Sequence, residues 1–126
     1  MTNSINEFQE ADLFLVTGSD TTEQHPLIGI RMLDAVRRGA KLIVVDPRKI
    51  KLSKFATIHA RQRCGTDVAW INGLMHVIIA EDLYKKEYVA ERTENFEDLK
   101  NLVKEYTPEH VESISEIGRA SCRERV

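Results

Sequence analysis

Apolar and polar positions alternate along the chain in two periods. Ala11–Ser19, ADLFLVTGS, is a short apolar run closed by Gly-Ser, as in a buried parallel strand that ends in a loop. The polar stretch Asp20–Pro26, DTTEQHP, leads into a helix, and Pro26 suits its first turn, where a missing N–H costs nothing. Ile28, Met32, Ala35 and Val36 follow at i, i+4, i+7 and i+8, the stripe of an amphipathic helix. Arg37 and Arg38 favour its last turn, and Gly39 is placed to end it. Lys41–Asp46, KLIVVD, is a second buried strand. Strand, helix and strand in this order make one βαβ unit with a right-handed crossover.

Thr57–Arg63, TIHARQR, alternates at Ile58, Ala60 and Gln62 and predicts a third, weaker strand. Gly65-Thr66-Asp67 opens a further helix, with Thr66 or Asp67 as N-cap and Val68, Ile71, Met75, Ile78 and Ile79 as its apolar stripe. Glu81–Thr93 and Glu94–Tyr106 predict two short helices, and Thr107-Pro108 starts another with Thr as cap and Pro in the first position. The pattern is α/β.

Composition narrows the function classes. The 126 residues suffice for one compact domain, and 42% hydrophobic with 30% charged residues is a globular balance. No apolar run reaches the roughly 20 residues of a membrane span, and the polar start MTNSINEFQEAD is no signal peptide. Two distant cysteines, Cys64 and Cys122, make neither a disulfide framework nor a CxxC metal site, so a reducing, cytoplasmic setting is expected. The end of the chain, Ile117–Val126 (IGRASCRERV), breaks the preceding composition and resembles a translated sequencing adapter. Residues 116–126 are therefore set apart as a non-native tail, and 1–115 as a partial α/β domain. Without IGRASCRERV the formal charge moves from −2 to −4, which disfavours a nucleic-acid surface.

Three loops carry candidate chemistry. In Gly18–Pro26, GSDTTEQHP, small residues at a strand end let a backbone approach a ligand, and the following helix start offers N–H groups to phosphate. A plain capped helix start has the same appearance. Asp46 ends the second strand, where an acidic residue accepts from ribose hydroxyls in nucleotide-binding units, and Arg48 reaches along the same crevice. The competing explanation is a turn formed by Asp46 and Pro47 with Arg48 solvated. In Gly65-Thr66-Asp67 a carboxylate can accept both donors of the guanine edge, or Asp67 can simply cap a helix. His25 is the only histidine placed for a ligand; His59 and His76 read as structural, and Trp70 as core or interface. No nucleophile with its base and no metal-ligand spacing is visible.

Together and in this order, MTNSINEFQEADLFLVTGSDTTEQHP, GAKLIVVDPRKI and GTDVAWINGLMHVIIAEDLY, followed by VAERTENFEDL and YTPEHVESI, resemble the catalytic subunit of molybdopterin oxidoreductases of the formate dehydrogenase type. The resemblance covers Met1–Ser115, with Met1 read as an interior residue. Periplasmic nitrate reductases and the large iron–sulfur subunit of complex I share the outline. It implies a doubly wound, mostly parallel sheet with flanking helices that binds molybdopterin guanine dinucleotide. Carried over by motif, Gly18, Ser19, Asp20, Glu23 and His25 line the pyrophosphate, Asp46 and Arg48 hold the ribose and its neighbour, and Gly65, Thr66 and Asp67 meet the guanine. Cys64 stands where the family more usually has proline.

The resemblance also implies that the molybdenum or tungsten ligand, the active-site histidine and arginine, and the iron–sulfur cysteines lie outside this stretch. The chain alone would then be inactive. Its partners would be the missing domains of the same subunit and electron-transfer subunits, with neither nucleic acid nor membrane insertion. Two other accounts fit the residues: a stand-alone nucleotide-binding module, and the matching region of complex I.

Overall fold

In the computed structural model, which describes residues 4–117, the chain divides into two compact units, Met1–Arg61 and Gln62–Val126. The first unit is built on three parallel strands in the order β1 (Leu13–Thr17), β2 (Lys41–Val45) and β3 (Ile58–Ala60). Leu13 pairs with Lys41 and Thr17 with Val45, while Ile43 pairs with Ile58 and Val45 with Ala60. Short helix α1 (Thr21–Gln24) and helix α2 (Pro26–Arg37) connect β1 to β2. The α/β class and the βαβ order are as the hydrophobic pattern predicts.

Phe14 and Val16 of β1, Leu42 and Val44 of β2, and Met32 and Ala35 of α2 form the core, closed by Ile50 and Leu52 beyond β2. The α2 stripe is therefore the one its spacing indicates, with Met32 and Ala35 fully inside and Ile28 and Val36 packed at its margin. Gly39 takes φ +115 as α2 ends, and Ala40 N–H returns to the Ala35 carbonyl. One expectation changes. β1 is not buried on both faces: Leu13 and Leu15 remain 44% and 47% exposed. Among the described residues, α2 and its neighbours in this unit pack only on the Phe14–Val16 side.

A 3-10 turn over Ile5–Gln9 precedes β1, a feature its polar sequence did not reveal. Ser4 and Glu7 form a reciprocal capping box, and Phe8 stacks on Phe14 with ring centroids 6.0 Å apart. The Arg38 guanidinium then donates to the Gln9 carbonyl.

The second unit is helical: α3 (Asp67–Ala80), α4 (Lys86–Arg92), α5 (Phe96–Val103) and α6 (Pro108–Ser115). As predicted, Pro108 begins α6 and the Thr107 hydroxyl accepts from His110 N–H. The face of α3 is a correction. Val68 and Ile71 are 69% and 40% exposed, and the buried positions are Ala69, Trp70, Asn72 and Gly73. This helix is apolar around most of its circumference, so periodicity does not choose a face. Close approach does: a Cβ on Gly73 would lie 2.6 Å from a Val111 methyl of α6. His76 Nδ1 bonds the Val103 carbonyl at 2.9 Å, tying α3 to the end of α5.

At the end of α6, Glu116 has φ +64 and pairs with Arg63 at 2.6 Å, and Ile117 is buried. The rest of the segment set apart in sequence, including Cys122, lies outside the described residues.

Gly73→Ala tests the α3–α6 contact by sign. In a helix interior this change ordinarily stabilises by about 1 kcal/mol. Here the added methyl meets a stiff valine, and a loss of about 1–3 kcal/mol is expected from urea unfolding. Val111→Ala in the same chain should recover part of it; a net gain from Gly73→Ala alone would refute the contact.

Candidate functional site

β1 and β2 are neighbours and parallel, so the segments leaving their carboxyl ends lie side by side. Gly18 N–H donates to the Val45 carbonyl at 3.2 Å, extending the ladder one step before the chain turns. Gly18 has φ +58, a left-handed conformation costly for any residue with a Cβ, and a Cβ there would meet nothing within 4 Å. The turn thus presents bare backbone to open space.

Beyond it, Ser19 and Thr21 share a hydroxyl hydrogen bond of 3.3 Å, and the Thr22 hydroxyl donates to Asp20 at 2.8 Å. The Asp20 carbonyl accepts from Glu23 and Gln24 N–H, which holds α1 in place. Among the described residues, no hydrogen bond uses the N–H groups of Ser19, Asp20, Thr21 or Thr22. His25 joins α1 to α2 through its backbone, its carbonyl accepting from Gly29 N–H, and its side chain is exposed.

Asp46 follows β2 and is 1% exposed. Its Oδ1 accepts from Arg48 N–H at 2.8 Å and from Arg48 Nε at 3.2 Å, and its Oδ2 from Arg48 Nη2 at 3.3 Å. Asp46 N–H donates to the Ala60 carbonyl, and the Asp46 carbonyl meets His59 Nε2 at 3.1 Å. The turn explanation for Asp46 is therefore realised, but Arg48 is bound to the carboxylate rather than merely solvated. Burial opposes ionisation of Asp46; the hydrogen bonds and charge of Arg48 outweigh it and hold the carboxyl below its usual range. The same contacts raise Arg48 above its ordinary value.

Sequence reasoning passed over Lys51. Its Nζ lies 2.7 Å from Glu23 Oε1, joining the segment after β2 to the loop after β1. That hydrogen bond, the Glu23 charge and the more distant Asp20 raise the lysine above its ordinary value. The available signal was the cationic run around Ile50, in which Lys49 and Lys51 alternate with residues that turn inward.

The structure thus gathers Gly18, Ser19, Asp20, Glu23, Asp46 and Arg48 at one edge of one sheet. Gly65, Thr66 and Asp67 belong to the second unit. There Gly65 has φ +80, again with open space where a Cβ would be. Thr66 precedes α3 but does not cap it through its side chain: the hydroxyl donates instead to the Arg63 carbonyl at 2.6 Å. Asp67 is exposed in the first turn of α3, 3.4 Å from Trp70 Nε1. Cys64 is a free, exposed thiol. His59 and His76 are both engaged with backbone carbonyls. Among the described residues, no three His, Cys, Asp or Glu side chains are grouped to hold a metal ion, and no helix is long and apolar enough to cross a membrane.

Residues 1–120 match the family described as molybdopterin oxidoreductase. The chain belongs to that family. Formate dehydrogenase H of Escherichia coli (strain K12) is 42% identical over 124 residues, which are 98% of this chain and 17% of that protein. The F420-dependent formate dehydrogenase subunit alpha of Methanocaldococcus jannaschii is 46% identical over 119 residues, 94% of this chain and 18% of that protein. Among solved structures, acetylene hydratase from Pelobacter acetylenicus superposes with a TM-score of 0.85 at 36% identity, over 92% of this chain and 16% of that one. Within the family, then, the chain is formate dehydrogenase-like and spans under a fifth of the length of these relatives.

Because the folded-state pKa of Asp46 is depressed, the stability it contributes is present above the ordinary value of 3.8 and is lost as pH falls through the lowered value. Asp46→Asn should remove that acid limb. Urea midpoints followed from about pH 5 down to about pH 2 check this; parallel declines in wild type and variant would contradict the pairing.

Proposed function

We propose that this chain forms part of the binding surface for molybdopterin guanine dinucleotide in an oxidoreductase of the formate dehydrogenase type. The observation that carries the proposal is the edge of the first unit's sheet. There, glycine backbone faces open space, four successive N–H groups have no hydrogen bond among the described residues, and a buried carboxylate with its arginine stands one strand away. This donor set suits a phosphorylated ligand with a sugar: N–H groups and hydroxyls for phosphate, a carboxylate for ribose.

In this assignment Gly18, Ser19, Asp20, Glu23 and His25 line the pyrophosphate. Asp46 accepts from ribose hydroxyls, and Arg48 lies on the neighbouring phosphate or base. Gly65, Thr66 and Asp67 take the guanine end, where the Asp67 carboxylate accepts from the two donors of the guanine edge. Adenine cannot supply that pair of donors. These residues surround the ligand; none is assigned a proton-transfer or nucleophilic role.

The complete enzyme is proposed to oxidise formate to carbon dioxide, releasing one proton and two electrons. When bound, the molybdenum or tungsten pterin supplies the redox chemistry, and an iron–sulfur cluster held elsewhere carries electrons onward. The metal ligand and the substrate-contacting residues belong to other parts of that enzyme, so the chain by itself is proposed to be inactive. Its partners are the remaining domains of the same subunit and further electron-transfer subunits.

Guanosine diphosphate carries the guanine, ribose and pyrophosphate together and serves as a probe. By calorimetry the 126-residue chain should bind it more tightly than adenosine diphosphate. Asp46→Ala should weaken guanosine diphosphate by about tenfold or more, the scale of a lost hydrogen bond to a charged group. Asp67→Ala, at an exposed position, should abolish the preference for guanine without altering the fold. Equal binding of the two nucleotides, or none at millimolar concentration, would overturn the assignment.

A further inference from the structure

We infer that Lys51 is a phosphate-neutralising residue of this site, held in reserve by Glu23 and released to the pyrophosphate of a guanine nucleotide. The inference deepens the binding role proposed above and rests on it. Five charged groups cluster where the segments after β1 and β2 meet: Asp20, Glu23, Asp46, Arg48 and Lys51. Three are acidic and two basic, and Arg61, whose Nε donates to the Pro47 carbonyl at 2.9 Å, adds a third cation, so these six groups sum to no net charge. An anionic pyrophosphate gains Arg48 or Lys51 as a counter-ion there only when that cation is drawn from its acidic partner.

Arg48 is the less available of the two. It is committed to Asp46 through Nε, Nη2 and its own backbone N–H, and Asp46 is a buried carboxylate that needs those donors. Among the described residues Lys51 bonds one partner, Glu23 at 2.7 Å, and an ammonium offers three donors. Its side chain is 69% exposed and that of Glu23 is 56% exposed, so the pair is solvated and weakly held. The direction of Lys51 is nevertheless fixed. Ile50 and Leu52 on either side are 6% and 0% exposed, and these two core anchors turn the intervening lysine outward. In the absence of ligand Glu23 keeps the ammonium beside the Gly18–Gln24 loop. A phosphate at that loop replaces Glu23 as its counter-ion.

The proposal separates two neighbouring side chains by the sign of their effects. Calorimetry on the 126-residue chain would use guanosine diphosphate, inorganic pyrophosphate and guanosine as ligands. Lys51→Met should weaken guanosine diphosphate and pyrophosphate by about tenfold, in line with loss of one charge-assisted hydrogen bond, and leave guanosine unchanged. Glu23→Gln removes the competing carboxylate and should tighten guanosine diphosphate about threefold at low salt. Circular dichroism and urea midpoints should be unaltered, since both side chains are exposed. Unchanged affinity in Lys51→Met, or equal loss of guanosine and guanosine diphosphate, overturns the role of Lys51. Weaker binding in Glu23→Gln overturns the competition, because Glu23 would then contact or align the ligand. If wild type binds neither guanosine diphosphate nor pyrophosphate, the underlying binding role fails, and with it the role of Lys51.

Discussion

A buried carboxylate organises the first unit. Asp46 has almost no contact with water, and an ionised group in that position is tolerable only when it is paired and hydrogen-bonded. Arg48, two residues later, provides that pairing through side chain and backbone, and this forces the chain to turn immediately after β2. Pro47 fits the turn because it has no N–H to satisfy. Through its own backbone Asp46 also holds Ala60 and His59, so β3 is fastened to the same point. The chain leaving the turn brings Ile50 and Leu52 back into the core, and those anchors direct Lys51 toward the neighbouring loop. The strand end, the turn and the third strand all meet at this one residue.

What sequence made legible follows from which interactions are local. β1, α2 and β2 are specified by short-range apolar spacing and by the Pro26 and Gly39 boundaries, and all three lie close to their expected bounds. The start of α6 was equally clear, because a cap and a proline act within one turn. The buried face of α3 was not. Its apolar residues surround the helix, and the face is selected by a glycine that admits Val111 from a segment far along the chain. The 3-10 turn at Ile5–Gln9 was hidden for the opposite reason: its residues are mostly polar, and its anchor is the distant Phe14 ring. β3 is shorter than the alternation over Thr57–Arg63 suggests, with three residues in the strand and backbone bonds from Thr57 and Asp46 at its two ends.

The candidate site divides along the same line. Gly18, Asp46 and Arg48 are visible in sequence because strand ends and turn chemistry point to them. Lys51 is not, because its meaning lies in a bond to Glu23 across two loops. Thr66 stands at the N-cap of α3 as its residue type suggests, but its hydroxyl goes to the Arg63 carbonyl, so the cap is positional and not a side-chain hydrogen bond. The region's chemistry is also consistent with its distribution among relatives. Formate dehydrogenases and an acetylene hydratase, whose names denote different reactions, share this fold and 36–46% of its residues.

Hydrogen-bonding capacity gives the Asp46 assignment a physical condition. A carboxylate has about four acceptor positions. Arg48 occupies three, two on Oδ1 and one on Oδ2. One position on Oδ2 is left for a ribose hydroxyl, yet at 1% exposure the residue offers it almost no surface. Access therefore requires something to move. The backbone bond at 2.8 Å is fixed by the turn, whereas the Nη2 bond at 3.3 Å joins the carboxylate to a guanidinium that is itself 69% exposed. Swinging that end of Arg48 uncovers Oδ2 while Oδ1 stays paired, so the carboxylate is never left unpaired. The proposed ribose contact thus sets a condition on the ion pair that closes the turn: Oδ2 opens only where the Nη2 bond gives way, and Oδ1 keeps its backbone donor.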